Sequence, residues 1–156
     1  MKKRQIGLVA LAVLLIGGVC FGIFRSAPEQ AQASQSNYDY EVQLLARAVN
    51  GEARGEPYEG QVAVAAVILN RVEHPSFPNT IAGVIYQPGA FTATQDGQID
   101  VPIKSDSTVF KACVDAMNGW DPSGGAIYYY NPVKTTNNWI YSRPVIKTIG
   151  NHKFAK

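Results

Sequence analysis

Hydrophobic and polar positions fall into blocks along the chain, and most blocks repeat at helical spacing. Residues 6–24, IGLVALAVLLIGGVCFGIF, form an uninterrupted apolar run of 19. Residues 26–38, SAPEQAQASQSNY, are small and polar and read as a linker, of which 34–38 immediately precede the globular part. From Asp39 the pattern turns helical. Val42, Leu45, Ala46 and Val49 make one apolar stripe, with Asp39 as a cap and Asn50-Gly51 as a stop signal. Pro57 suits the first turn of a second helix, with Glu59 near its positive end. GQVAVAAVILNRV, residues 60–72, is apolar nearly all round, as in a helix at the centre of its domain. Two prolines in EHPSFPN break it, and a short helix over 80–86 follows Asn79.

The second half is less regular. GAFTATQDGQID, residues 89–100, mixes β-formers, small polar residues and an Asp-Gly turn, which predicts a short hairpin or loop. Ser105 or Asp106 can cap a further helix with the stripe Val109, Ala112, Cys113 and Ala116, ended by Asn118-Gly119. AIYYYNP, residues 126–132, reads as a strand, and RPVIKTIGNHKFAK as a closing strand pair around Gly150-Asn151. Many helices with a few small strands predict an α+β fold. Residues 39–156 would form one domain, long enough to bury a sizeable core.

Charge changes the reading of the N-terminus. Lys2, Lys3 and Arg4 precede the apolar run, and Ala31-Gln32-Ala33 offers a small-residue cleavage site. Residues 1–33 therefore read as a signal peptide or a retained N-terminal membrane anchor, since 19 apolar residues also suffice to span a bilayer. Both readings export the domain, to the cell wall, the extracellular space or the outer face of the cytoplasmic membrane. Without residues 1–33 the chain holds ten basic and eleven acidic residues, a net of −1, so no nucleic-acid footprint is present. Cys20 lies in the apolar run and Cys113 is the other cysteine, which excludes a disulfide scaffold for the cleaved domain.

Among candidate chemical groups, Glu52 stands out. Glu56 and Glu59 fit acids at a helix N-terminus. Glu52 instead follows the C-terminal end of the first helix, where the dipole disfavours an anion, and it sits between Gly51 and Gly55. A carboxylic acid that keeps its proton near neutral pH can protonate a leaving oxygen. Cys113 lies on an apolar stripe and reads as core rather than as a nucleophile. His74 and His152 are isolated, without zinc-ligand spacing, and Asp96, Asp100 and Asp106 do not match an EF-hand loop. No metal or cofactor is expected. Tyr128, Tyr129, Tyr130, Trp139 and Tyr141 cluster among Asn131, Asn137 and Asn138, the mix of aromatic faces and amides that a sugar site uses. Phe91, Thr92 and Gln95 could contribute similarly.

LLARAVNGEARGEPYEGQVAVAAVILNRV, PNTIAGVIYQPGAFTATQDGQI, NGWDPSGGAIYYYNP and WIYSRPVIKTIGNHKF together resemble the catalytic domain of the SleB/CwlJ family of bacterial cell-wall hydrolases. The resemblance runs from about residue 41 to the C-terminus. It implies a lysozyme-like α+β fold, peptidoglycan as substrate, cleavage of its glycan strands, and Glu52 as the catalytic acid. With such a substrate, the aromatic and amide residues singled out above, Phe91, Thr92, Gln95, Tyr129, Tyr130, Asn131 and Trp139, are the candidates for binding it. A single acid suits a lytic transglycosylase, whereas hydrolysis by water would need a second carboxylate, with Asp96 and Asp100 as the acids to examine. A non-catalytic, membrane-tethered wall-binding domain is the rival class. An accessory protein that positions the domain is compatible with the short linker.

Overall fold

The computed structural model describes residues 19–156, with side chains from Glu29 onward. The basic n-region and most of the apolar run expected to form a signal or anchor lie outside the described residues. The chain divides into two units, Met1–Asn37 and Tyr38–Lys156. The described part of the first is the start of one long helix, and the account below concerns the second.

Helix α1 runs Val19–Ala53, α2 Tyr58–Glu73, α3 Ile81–Ile85 and α4 Thr108–Met117. The apolar stripe of α1 is buried from Val42 to Val49, as its spacing predicts. Its ends differ from expectation. Residues 26–38, read as a linker, are helical, and Asp39 lies within the helix rather than capping it. Between Pro28 and Gly51 there is no glycine or proline, and alanine, glutamine and glutamate are good helix formers. Asn50-Gly51 does not stop the helix either, because Gly51 and Glu52 form its last turn.

Helix α2 is the centre of the domain. Every residue from Gly60 to Ile68 is buried, and α2 packs against α3, α4 and strands of the sheet. Pro57 caps it in an extended conformation, with Glu59 in the first turn. Helix α4 is capped by the Ser107 hydroxyl, which accepts from the Phe110 N–H, so neither Ser105 nor Asp106 is the cap. The predicted stripe of α4, Val109, Ala112, Cys113 and Ala116, is buried. Residues 89–100 hold two 3₁₀ turns, Thr92–Thr94 and Gln98–Asp100, and no hairpin. The β-forming threonines there are too few and too broken by Gly97 to pair as strands.

Strands β1 (Tyr128–Tyr130), β2 (Val145–Ile149) and β3 (His152–Ala155) make an antiparallel sheet in the order β1-β3-β2. Tyr129 pairs with Phe154 and Ile149 with His152. Two side chains tie loops to helices. Gln43 of α1 exchanges hydrogen bonds with the Ile103 backbone at 2.7 and 3.2 Å. Asn70 of α2 donates to Asp121 and to the Ala126 carbonyl, both at 3.0 Å.

The β2–β3 turn is fixed from outside the sheet. The Asn151 N–H and side-chain amide donate to the Glu56 carboxylate at 2.8 and 3.1 Å. Gly150 holds φ +56°, and a Cβ there would collide with the Glu56 carboxylate and with Pro57. Gly150→Ala therefore meets both a strained backbone and a clash. It is expected to lower stability by about 1–3 kcal/mol, read as a lower midpoint in urea or heat. An unchanged midpoint would show that the clamp tolerates displacement.

Candidate active site

Glu52 leaves the last turn of α1, where the helix carbonyls repel an anion at a cost of about 0.3–1 kcal/mol. A backbone donor faces it. The Thr92 N–H reaches Glu52 Oε1 at 2.9 Å, and the Tyr129 side chain lines the same space as the carboxyl group. The backbone donor fixes the position of the side chain at that helix end. Closeness of the 3₁₀ turn to α1 makes this bond possible. A Cβ on Gly51 would stand 2.7 Å from the Ala93 Cβ, inside any real contact. Glycine at 51 is thus what lets Thr92 reach its neighbour Glu52.

Around Glu52 lie three adjoining depressions. The central one, about 420 Å³, is lined by Glu52, Arg71, Thr92, Gln98, Tyr129 and Asn131 among others. On one side, Lys134, Arg54 and Asn151 border a space of about 490 Å³ that shares Glu52 and Glu56 with it. On the other, Tyr128, Trp139, Asn137 and Gln87 border a space of about 360 Å³ that shares Arg71, Tyr129 and Tyr130. The result is a cleft with an amide-rich, basic end and an aromatic end, and Glu52 near its middle.

The sequence-derived residues divide on inspection. Glu52, Thr92, Tyr129, Tyr130, Asn131 and Trp139 are brought to the cleft. Trp139 is 47% exposed and packs edge-on against Tyr128 at 5.2 Å, so part of its ring is open to a ligand. Tyr130 lines the cleft but is only 7% exposed. Phe91 offers no face to a sugar. Its ring is 1% exposed and lies beneath the Arg71 guanidinium at 5.7 Å. Gln95, at the end of the 3₁₀ turn, is exposed and lines none of the three depressions. Arg71, Gln98 and Lys134 line the cleft as well and do not stand out in the sequence as candidate site residues. Arg71 closes the apolar run of α2 just beyond its buried stretch, and an arginine at the end of so apolar a segment is itself a signal.

The acids have distinct surroundings. Burial pushes the Glu56 carboxyl up, but the Asn151 hydrogen bonds and the charges of His152 and Lys134 outweigh it and hold the group below its ordinary value. Asp96 is also held low, by the backbone N–H and side-chain amide of Gln98 at 3.1 and 2.6 Å. Asp100 is exposed and lines none of these spaces. His152 stacks edge-on against Tyr129 at 5.3 Å and its Nδ1 has no hydrogen-bond partner. Burial pushes His152 down, against the opposing pull of Glu56 and Glu52. Tyr129 is held well above its ordinary value by burial and by Glu52, so its hydroxyl stays a donor. Burial also pushes the Cys113 thiol far up, which suits a core residue and not a nucleophile. Among the described residues no group of three or more His, Cys, Asp or Glu could hold a metal ion.

A family model described as Cell Wall Hydrolase matches residues 55–155. The chain belongs to the cell wall hydrolase family. Within it, the chain is 60% identical over 116 residues to a spore cortex-lytic enzyme of Bacillus cereus, covering 74% of this chain and 44% of that one. It is 59% identical over 121 residues to the spore cortex-lytic enzyme of Bacillus subtilis, covering 78% and 38%. The chain thus spans less than half the length of these relatives. Cell wall hydrolase CwlJ of Bacillus subtilis is 27% identical over 119 residues, 73% of this chain and 83% of that one. The fold matches the crystal structure of the catalytic domain of Bacillus cereus SleB, with TM-score 0.70 and 60% identity over 74% of this chain and 89% of that one. It also matches the catalytic domain of the germination-specific lytic transglycosylase SleB from Bacillus anthracis, with TM-score 0.72 and 59% identity over 74% and 93%. The α+β architecture read from the sequence is that of these relatives. The family match begins three residues after Glu52, so the acid's place rests on the cleft geometry.

Two outcomes follow for this family member. Gly51→Ala should push the 92–94 turn off α1 and free the Thr92 amide, seen as faster hydrogen exchange at Thr92 with the other core amides unchanged. Retained protection at Thr92 would mean the turn does not depend on that contact. The second concerns acid stability. Both Glu56 and His152 are held below their ordinary values, so each binds fewer protons folded than unfolded. Their stabilisation is present at neutral pH. It is lost as pH falls below about 6.5 for His152 and below about 4.5 for Glu56. Denaturation midpoints should fall between pH 7 and pH 4, and the lower part of that fall should shrink in Glu56→Gln. A flat profile would contradict these shifts.

Proposed function

We propose that this chain cleaves the glycan strand of peptidoglycan between N-acetylmuramic acid and N-acetylglucosamine, as a lytic transglycosylase with Glu52 as its acid and base. The observation that carries the reading is that Glu52 lines the cleft where its central and basic spaces meet, with the Thr92 backbone N–H on one oxygen. Glu56 is consumed by the β2–β3 turn, and Asp96 by Gln98. The names of the relatives support cell-wall or cortex peptidoglycan as substrate, and one of them is titled a lytic transglycosylase. Export to the wall, through the N-terminal segment as signal or anchor, is part of this proposal.

In this mechanism Glu52 gives its proton to the glycosidic oxygen, and the bond from that oxygen to muramoyl C1 breaks. The muramoyl N-acetyl group stabilises the developing oxocarbenium charge. Glu52, now a carboxylate, takes the proton of the muramoyl C6 hydroxyl as its oxygen closes on C1. The product is a 1,6-anhydro ring, and no water is consumed. Attack from within the substrate removes the need to position a separate nucleophile. The cleft shape suits a linear glycan, with Trp139 for stacking at one end and Asn131 and Asn151 for acyl and hydroxyl groups at the other.

Mass spectrometry of fragments released from purified cortex and vegetative wall tests this. The full chain should release anhydro-muropeptides, and Glu52→Gln should lose at least about a hundredfold in rate, the scale of an essential proton donor. Reducing-end products would overturn the transglycosylase step in favour of hydrolysis, with Asp96 as the acid left to orient water. Undiminished release by Glu52→Gln would overturn the assignment of the acid. Release of nothing by the unaltered chain would favour the wall-binding reading.

A further inference from the structure

Arg71 is a cation in the floor of the cleft with no carboxylate paired to it. The described ion pairs are Lys147 with Glu59 and His152 with Glu56, and neither involves Arg71. Its Nε donates to the Ile127 carbonyl at 2.8 Å. Its guanidinium stands 5.2, 5.7 and 5.8 Å from the rings of Phe77, Phe91 and Tyr128. Neither terminal nitrogen has a hydrogen-bond partner among the described residues, and neither is sealed from solvent. Burial pulls its pKa down, with Tyr129, Tyr128 and Glu52 pulling the other way. A guanidinium fixed this firmly, with its terminal nitrogens facing the cleft, offers a ready-placed set of N–H donors to a ligand.

Place decides which acceptors. Arg71 lines both the central space that holds Glu52 and the aromatic space that holds Trp139. A glycan with its scissile oxygen at Glu52 and a ring on Trp139 must pass over Arg71. N-acetyl groups occur along such a strand on both kinds of residue, and alternate residues carry in addition a 3-O-lactyl group. The lactyl carbonyl is the planar, electron-rich acceptor that a rigid fork of N–H donors fits, as a carboxylate when free and as an amide when it bears a peptide. We propose that Arg71 binds the lactyl carbonyl oxygen of the muramoyl residue next to the scissile bond, and so distinguishes muramoyl glycan from plain N-acetylglucosamine polymer. The inference rests on the proposed substrate but not on the identity of the acid.

Binding in the full-length Glu52→Gln chain separates the two. The probes are a muramoyl-glucosaminyl tetrasaccharide with free lactyl carboxylates, the same tetrasaccharide bearing peptides, and chitotetraose, which has no lactyl group. With Arg71 present, both muramoyl probes should bind tighter than chitotetraose. Adding Arg71→Met should weaken the muramoyl probes about tenfold or more and leave chitotetraose within about twofold. Arg71→Lys keeps the charge, loses the fork and should fall between; it carries the test if Arg71→Met does not fold. Loss on the free-acid probe alone would identify the carboxylate as the feature bound, and loss on both the carbonyl; either supports the proposal. Equal weakening of all three probes, or no muramoyl preference with Arg71 in place, overturns it. Residual turnover by Glu52→Gln would instead count against Glu52 as the acid, leaving the Arg71 comparison readable.

Discussion

The site depends on how closely one backbone turn can approach the end of α1. Gly51 has no side chain, so Ala93 lies against it and the Thr92 N–H meets the Glu52 carboxylate at 2.9 Å. The carboxyl group at that helix end is thereby held in one place. Tyr129 completes the arrangement from the sheet side, and its own position follows from its pairing with Phe154 and its edge contact with His152. Three parts of the chain far apart in sequence therefore converge on one carboxylate.

The neighbouring glutamate shows how similar residues are separated in role by their surroundings. Glu56 is four positions from Glu52, yet its oxygens are taken by Asn151 and its side chain is 8% exposed. It fastens the β2–β3 turn to the foot of α2, and β3 then carries His152 to Tyr129. Support for the cleft, rather than chemistry in it, is what this geometry gives Glu56. Arg71 has the opposite situation, since three rings and a carbonyl fix it while its outer nitrogens have no hydrogen-bond partner among the described residues.

Much of this was legible in the residues. The continuous burial of Gly60–Ile68, the stripe of α4 and the three strands follow from hydrophobic spacing and turn residues. The acid beside glycine was visible as an anomaly at a helix end. Other features were not legible. Helix α1 continues through a polar stretch because good helix formers outlast the apolar pattern. Residues 89–100 pack as 3₁₀ turns because their place is set by Gly51 and α1, not by their own propensity. Phe91 read as a sugar-stacking ring and is core, since strand-like spacing does not reveal which ring an arginine will cover. The contribution of Thr92 comes from its backbone N–H, which no side-chain pattern can signal.

The most direct measurement is a crystal structure of Glu52→Gln with a bound muramoyl-glucosaminyl oligosaccharide. The account predicts that one glycosidic oxygen lies about 3 Å from the residue-52 side chain, with a sugar ring at Trp139. An oligosaccharide seated elsewhere, such as the groove bordered by Glu41, Asn70 and Asp121, or one whose glycosidic oxygens all stay out of reach of residue 52, would contradict it.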